Sequence, residues 1–167
     1  VGTHPEPSWP ALGGTPQITE LVNAVANETR PVIIAGDLNL EPGSPEYAQL
    51  AAAGFADLYL ERQGRSLDGL TCCHSDPGLR NPEPDFTKRI DYVLARPGQG
   101  MRLGPVLFEL FGDDPRERTS SGLWPSDHAG VAATLALAVT ADGRELPWAV
   151  VNDDPERLND TAAFVMG

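Results

Sequence analysis

At 167 residues, with 12 Lys plus Arg against 24 Asp plus Glu and a formal charge of −12, the chain is sized for one globular domain with a buried core. That charge works against nucleic-acid and anionic-membrane binding, since neutralising phosphates is the main source of such affinity. No run approaches the roughly 18 apolar residues that cross a bilayer, so a soluble chain is expected, its compartment unknown and secretion one option for it.

Val1-Gly2-Thr3-His4 leads straight into a loop and reads as the tail of a strand, and the chain as a fragment or processed product. The Pro- and Gly-rich "PEPSWPALGGT", Pro5 to Thr15, is a surface loop. Thr15 caps a helix with Pro16 at its first position, and Ile18, Leu21, Val22 and Val25 share one face, with an end near Thr29. "PVIIAG" is a continuous β-branched run typical of a central strand covered on both faces. Ser44-Pro45 repeats the cap-plus-Pro start, Tyr47 to Ala53 favours helix, and Gly54 suits a left-handed stop. Strands are expected at Arg89–Arg96, Val106–Phe111 and Gly130–Val139, with an irregular stretch between Gly112 and Trp124. From Thr140 onward the chain turns polar and acidic, so residues 140–167 read as a C-terminal tail or extension, docked or weakly ordered. The class is mixed α and β.

Cys72 and Cys73 are adjacent and cannot staple distant segments; two ordinary thiols are expected rather than a redox or metal pair. His74 has no obvious carboxylate neighbour in the sequence and reads as a surface or core histidine. Lys88 and Arg89 read as a solvated strand end. Trp124-Pro125 either walls a cleft or packs to shape a turn.

Four stretches carry the polar groups of a phosphoester-cleaving site: Thr3-His4, Gly36-Asp37-Leu38-Asn39, Arg89-Ile90-Asp91-Tyr92 and Ser126-Asp127-His128. Each lies near a boundary between an apolar run and a loop, where α/β sheets build their sites. Asp37 and Asn39 equally suit a turn in which Asp bonds its own backbone, while strand alternation would put both toward one cleft and Leu38 away. Asp91 sits inside a strand-like run, where a carboxylate needs a partner to offset several kcal/mol of desolvation. A histidine can be that partner, and a carboxylate-oriented His128 would act as a general acid or base. An Asp-Asn pair can hold a water and a hard cation through oxygen ligands.

In that order, "TH", "GDLN", "RIDYVLA" and "SDHAGVAATL" resemble the C-terminal half of the endonuclease/exonuclease/phosphatase superfamily of metal-dependent phosphohydrolases. The resemblance spans His4 to about Val139, giving an expected domain portion of residues 1–139, and implies part of a DNase I-like four-layer α/β sandwich, two mixed sheets flanked by helices. It implies that His4 bonds a phosphate oxygen, that Asp37 orients or deprotonates the attacking water, and that Asn39 contacts phosphate or metal. It further implies that Asp91 pairs with His128 at the scissile phosphate and that Asp127 lies near the metal. The metal set is Asp37, Asn39 and Asp127, and the cation Mg²⁺, with Mn²⁺ or Ca²⁺ as alternatives. The superfamily's principal metal Glu and an accompanying Asn precede the position matching His4 and have no counterpart, so a missing N-terminal half, supplied by another chain or removed, is expected. Without it an apolar sheet face would be bare. The stretch "GLTCCHSDPGLRNPEPDFTKRIDYVLARPG" resembles members with small or lipid-like phosphodiester substrates, sphingomyelinases among them. The expected activity is therefore a metal-dependent phosphodiesterase or phosphatase; the alternatives are a nuclease of the same superfamily and a non-catalytic binding module.

Overall fold

In the computed structural model, which describes residues 1–5, 14–63, 69–139 and 161–166, a first strand, β1 (Val32–Asp37), uses both faces of its apolar run. Val32 and Ile34 pack with Ile18, Leu21, Val22 and Val25 of helix α1 (Gly14–Val25) and with Leu50 of helix α2 (Pro45–Ala52). On the opposite face Ala35 and Ile33 pack with Phe108, Val131 and Ala133, which belong to a second sheet. Helices, sheet and sheet thus stack in layers around two apolar clusters.

The α1 stripe has the predicted spacing, but the helix ends at Val25 rather than near Thr29: the Val25 carbonyl accepts from Glu28 N–H at 3.1 Å in a tighter closing turn, and Arg96 reaches across to donate to it as well. In α2 the Ser44 hydroxyl accepts from Tyr47 N–H at 3.1 Å with Pro45 behind it, a cap that contributes about 1 kcal/mol. Gly54, at φ +86°, follows it in the left-handed region.

The first sheet has the order β1-β3-β2, with β2 at Ala56–Asp57 and β3 at Asp91–Arg96, all antiparallel. Its register runs from Val32 opposite Arg96 to Asp37 opposite Asp91, so two carboxylates meet at one end. The N-terminal segment lies along the free side of β1: Gly2 pairs with Ala35 in parallel, and Ala35 N–H donates to Val1 O at 3.0 Å. That pairing supplies the parallel component of a mixed sheet and leaves β1 flanked on both sides, as a central strand is. Short elements β2 and helix α3 (Leu58–Gln63) have no counterpart in the sequence reading.

The second sheet is antiparallel, in the order β4 (Met101–Phe111), β5 (Gly130–Val139), β6 (Thr161–Met166). β5 has the expected bounds, whereas β4 begins at Met101 instead of Val106, its register shifting past Pro105. The stretch between Gly112 and Trp124 is irregular apart from a 3₁₀ turn at Pro115–Glu117. Six residues of the expected tail are strand β6 on β5; residues 140–160 lie outside the described residues. Nor is the anticipated bare apolar face seen among the described residues, where the exposed large apolar side chains are Val1 and Leu107. The sheet–sheet cluster covers one side of β5, and the alternate positions there are Ala132 and Thr134.

Candidate active site

The antiparallel register places Asp37, the last residue of β1, beside Asp91, the first of β3. From β5's lead-in comes His128, whose Nδ1 lies 3.0 Å from Asp91 Oδ2. One donor atom each from Asp37, Asp91 and His128 fall within 4.8 Å of one another. His4, delivered by the N-terminal segment, puts Nε2 3.4 Å from Asp37 Oδ2 with its side chain 73% exposed. These four residues line a cleft of about 530 Å³, walled on its apolar side by Phe111, Pro125 and Val131.

Backbone and buried contacts fix this arrangement. Leu38 N–H donates to Ile90 O at 2.8 Å, and Tyr92 Oη donates to Leu40 O at 3.0 Å and Arg89 O at 2.8 Å, joining the turn after β1 to the approach to β3. The fully buried Thr71 hydroxyl accepts from the Ile90 and Asp91 amides, each at 3.2 Å, and Thr71 O accepts from Ala129 N–H at 2.8 Å. One threonine therefore ties the Asp91 and His128 segments together. His128 N–H in turn donates to Ser126 Oγ at 3.1 Å.

The electrostatics separate the two acid–base groups. His128 is held above the ordinary 6.5, first by its hydrogen bond to Asp91, against partial burial, with the charges of Asp91, Asp37 and Asp127 adding to it. Asp37 is raised above 3.8, mainly by burial, with Asp91's charge adding and the Asn39 N–H opposing. The first shift favours imidazolium near neutrality; the second makes Asp37 a stronger base than a solvated carboxylate.

The profile of the Endonuclease/Exonuclease/phosphatase family matches residues 2–128, most of the chain. The chain belongs to this family. Among solved structures it is similar to D. rerio TDP2 complexed with single strand DNA product, at 22% identity over 80% of this chain and 54% of that one, with a TM-score of 0.62. A humanized D. rerio TDP2 gives 22%, 80%, 53% and 0.59, and a functionally unknown conserved protein from Enterococcus faecalis gives 17%, 83%, 48% and 0.53. At these identities the likeness is one of fold, and the chain spans about half the length of the structures it matches. No curated protein matches it.

In this family member Asn39 and Asp127 stand apart from the cleft-lining residues. β1 ends at Asp37, so strand alternation does not carry to Asn39: it takes a left-handed φ of +51°, donates its backbone N–H to Asp37 Oδ1 at 2.8 Å and its side-chain amide to Pro5 O at 2.9 Å. Asp37 is thus both a turn former and a cleft residue, and Asn39 holds the segment that carries His4. Asp127 is exposed, and its carbonyl accepts from His74 N–H at 3.0 Å.

Three sequence expectations are corrected and one open alternative is resolved. Arg89 is no solvated strand end: it is buried, ion-paired with Asp57 at 2.7 Å, and lies over the Tyr59 and Tyr92 rings, while Tyr47 Oη donates to the same Asp57 carboxylate. His74 does have a carboxylate neighbour, Asp85 at 3.0 Å, and stacks on Trp124. Trp124 is fully buried and donates Nε1–H to Asn81 O at 2.8 Å, so of the Trp-Pro pair only Pro125 walls the cleft. Cys72 and Cys73 are bonded to each other across a cis peptide rather than being free thiols. Sequence reading missed Thr71 and Asp57 outright. Thr71 stands in the "LTCC" stretch without periodicity to flag it, and the only signal for Asp57 was an arginine in need of an anion.

Proposed function

We propose that the chain carries the hydrolytic groups of a divalent-metal-dependent phosphodiesterase or phosphatase, acting on a small or lipid-like phosphoester. The observation that carries this reading is the meeting of Asp37 with the Asp91–His128 pair on the floor of one cleft. Asp37 takes a proton from water as the water oxygen attacks phosphorus opposite the leaving oxygen. His128, charged through Asp91, donates from Nε2 to a non-bridging phosphate oxygen as negative charge builds there. His4 binds a second phosphate oxygen from the open side. The leaving group departs with the P–O bonding pair and takes a proton from solvent.

The oxygen-rich donor set suits a hard cation, because two carboxylates side by side gain from a neutralising charge. Asp37 would hold it, with Asn39, two residues after Asp37, and Asp127, next to His128 in sequence, as proposed further ligands. When bound, Mg²⁺ neutralises phosphate charge and acidifies a coordinated water. Remaining ligands are proposed to come from the preceding half of the family domain. Phe111, Pro125 and Val131 beside the carboxylates support an apolar or small leaving group, and the −12 charge opposes a grip on long duplexes. A nuclease reading draws on the DNA-bound relative; it requires hydrolysis of DNA that falls steeply with salt.

The test is Mg²⁺-dependent hydrolysis of bis-p-nitrophenyl phosphate by the full protein. His128→Ala is expected to lower kcat by about 10²–10³, the cost of one donor to a developing oxyanion. Hydrolysis undiminished in His128→Ala would refute the mechanism.

A further inference from the structure

The two ring nitrogens of His128 face different chemistry. Nδ1 lies 3.0 Å from the Asp91 carboxylate, and Nε2 lies 3.8 Å from Cys73 Sγ. Backbone pairing holds the cysteines there, since Cys72 bridges to His128 on one side and to Lys88 on the other. Cys72 is buried and Cys73 exposed to solvent. One donor atom from each of Cys72, Cys73 and His128 lies within 4.8 Å of the others, as is also true of Asp37, Asp91 and His128. A single imidazole is thereby shared between an oxygen set suited to hard cations and a sulfur set suited to soft ones.

We propose that reduction of the Cys72–Cys73 disulfide creates an inhibitory site for a soft divalent cation, Zn²⁺ foremost, held by both sulfurs and His128 Nε2. The inhibition rests on the hydrolase reading; the metal binding does not. A phosphine reductant gives two electrons to the S–S bond and leaves as phosphine oxide, water supplying its oxygen and the two thiol protons. Zn²⁺ then displaces both thiol protons and binds two thiolates and a neutral imidazole, a three-ligand set with a fourth position left over. The Asp91 carboxylate on Nδ1 is the partner that orients a metal-bound imidazole and raises its basicity. With Nε2 on the metal, the nitrogen that would meet phosphate is withdrawn.

The experiment uses the full chain, phosphine-reduced or left oxidised, with Co²⁺ as the spectroscopic probe and Zn²⁺ as competitor. The reduced protein is expected to show a thiolate-to-cobalt charge-transfer band saturating at one equivalent and bleached by Zn²⁺; the oxidised protein and Cys73→Ser show none. Asp91→Asn should weaken Co²⁺ binding by about 10–100-fold. Zn²⁺ should silence Mg²⁺-dependent hydrolysis of the reduced protein and leave the oxidised protein and Cys73→Ser active. Equal bands in both redox states, cobalt bound without the band, or a band retained in Cys73→Ser would each overturn the proposal. Absence of hydrolysis in every sample would refute the hydrolase reading and with it the inhibition, while the band alone decides the metal site.

Discussion

Asp91→Asn isolates what charge contributes to the pair with His128, because asparagine keeps the volume and one acceptor oxygen. In the wild type the two groups are 3.0 Å apart with side chains 13% and 24% exposed, so solvent screens them only in part. A hydrogen bond to a charged group contributes about 1.5–3 kcal/mol and a neutral one about 0.5–1.5, so about 1–1.5 kcal/mol of imidazolium stabilisation leaves with the carboxylate charge. If imidazolium is the donor in the transition state, kcat/KM on bis-p-nitrophenyl phosphate falls roughly 5- to 13-fold at neutral pH. The pH profile gives the sharper readout. Its alkaline limb, set by loss of the His128 proton, lies above 6.5 in the wild type and moves down in the variant. Because the folded state raises this group, its contribution to stability is complete below 6.5 and lost as pH climbs through the raised value. The melting difference between wild type and variant therefore narrows across that window. In a His128→Ala background the Asp91 substitution should cost little further activity, since its partner is gone. An unmoved alkaline limb, or an equal loss in both backgrounds, would show that Asp91 does not act through His128.

Asp37→Asn should abolish most hydrolysis yet raise the melting temperature at neutral pH: the folded state raises Asp37, so its ionised form weakens the fold above that value, and the amide oxygen still accepts from Asn39 N–H. Each kcal/mol recovered is roughly 2–4 °C in a chain of this size, and calorimetry should find the gain shrinking as the pH falls toward 3.8. Gly36→Ala places a Cβ 2.1 Å from Thr3 O at a φ of +149°, so the N-terminal segment must lift off β1. Activity should fall as far as in His4→Ala, and the Ala35 amide, which donates to Val1 O, should lose hydrogen-exchange protection. Arg89→Met leaves Asp57 buried without its cation, at a cost of about 3–5 kcal/mol read from the urea midpoint, and Asp57→Asn on top of it should restore part.

What was legible in the chain was local. The β1 run, the Ser44-Pro45 cap and the apolar β5 run carry their signal in adjacent residues, and the structure has them close to the expected bounds. Asp91 was legible by cost, a carboxylate in an apolar run that must find a partner. Arg89 obeys the same logic, but its partner lies 32 residues away in a two-residue strand with no periodicity to announce it. The Asn39 side-chain amide turns to Pro5 O because alternation holds only while the backbone stays extended, and β1 stops at Asp37. Thr71 was invisible for a third reason: it works through one hydroxyl and one carbonyl, and any loop threonine offers both.

The Tyr92 hydroxyl bridges Leu40 and Arg89 carbonyls from a ring that is fully buried. Parting the two carbonyls would cost that buried hydroxyl one of its two acceptors, so the segments that follow Asp37 and precede Asp91 are tied to each other through the core. Opening between them also breaks the hydrogen bond from Leu38 N–H to Ile90 O, and slow exchange of the Leu38 amide is the expected sign that the tie holds. The spacing of the two carboxylates on the cleft floor is therefore set from beneath, by a phenol that touches neither of them.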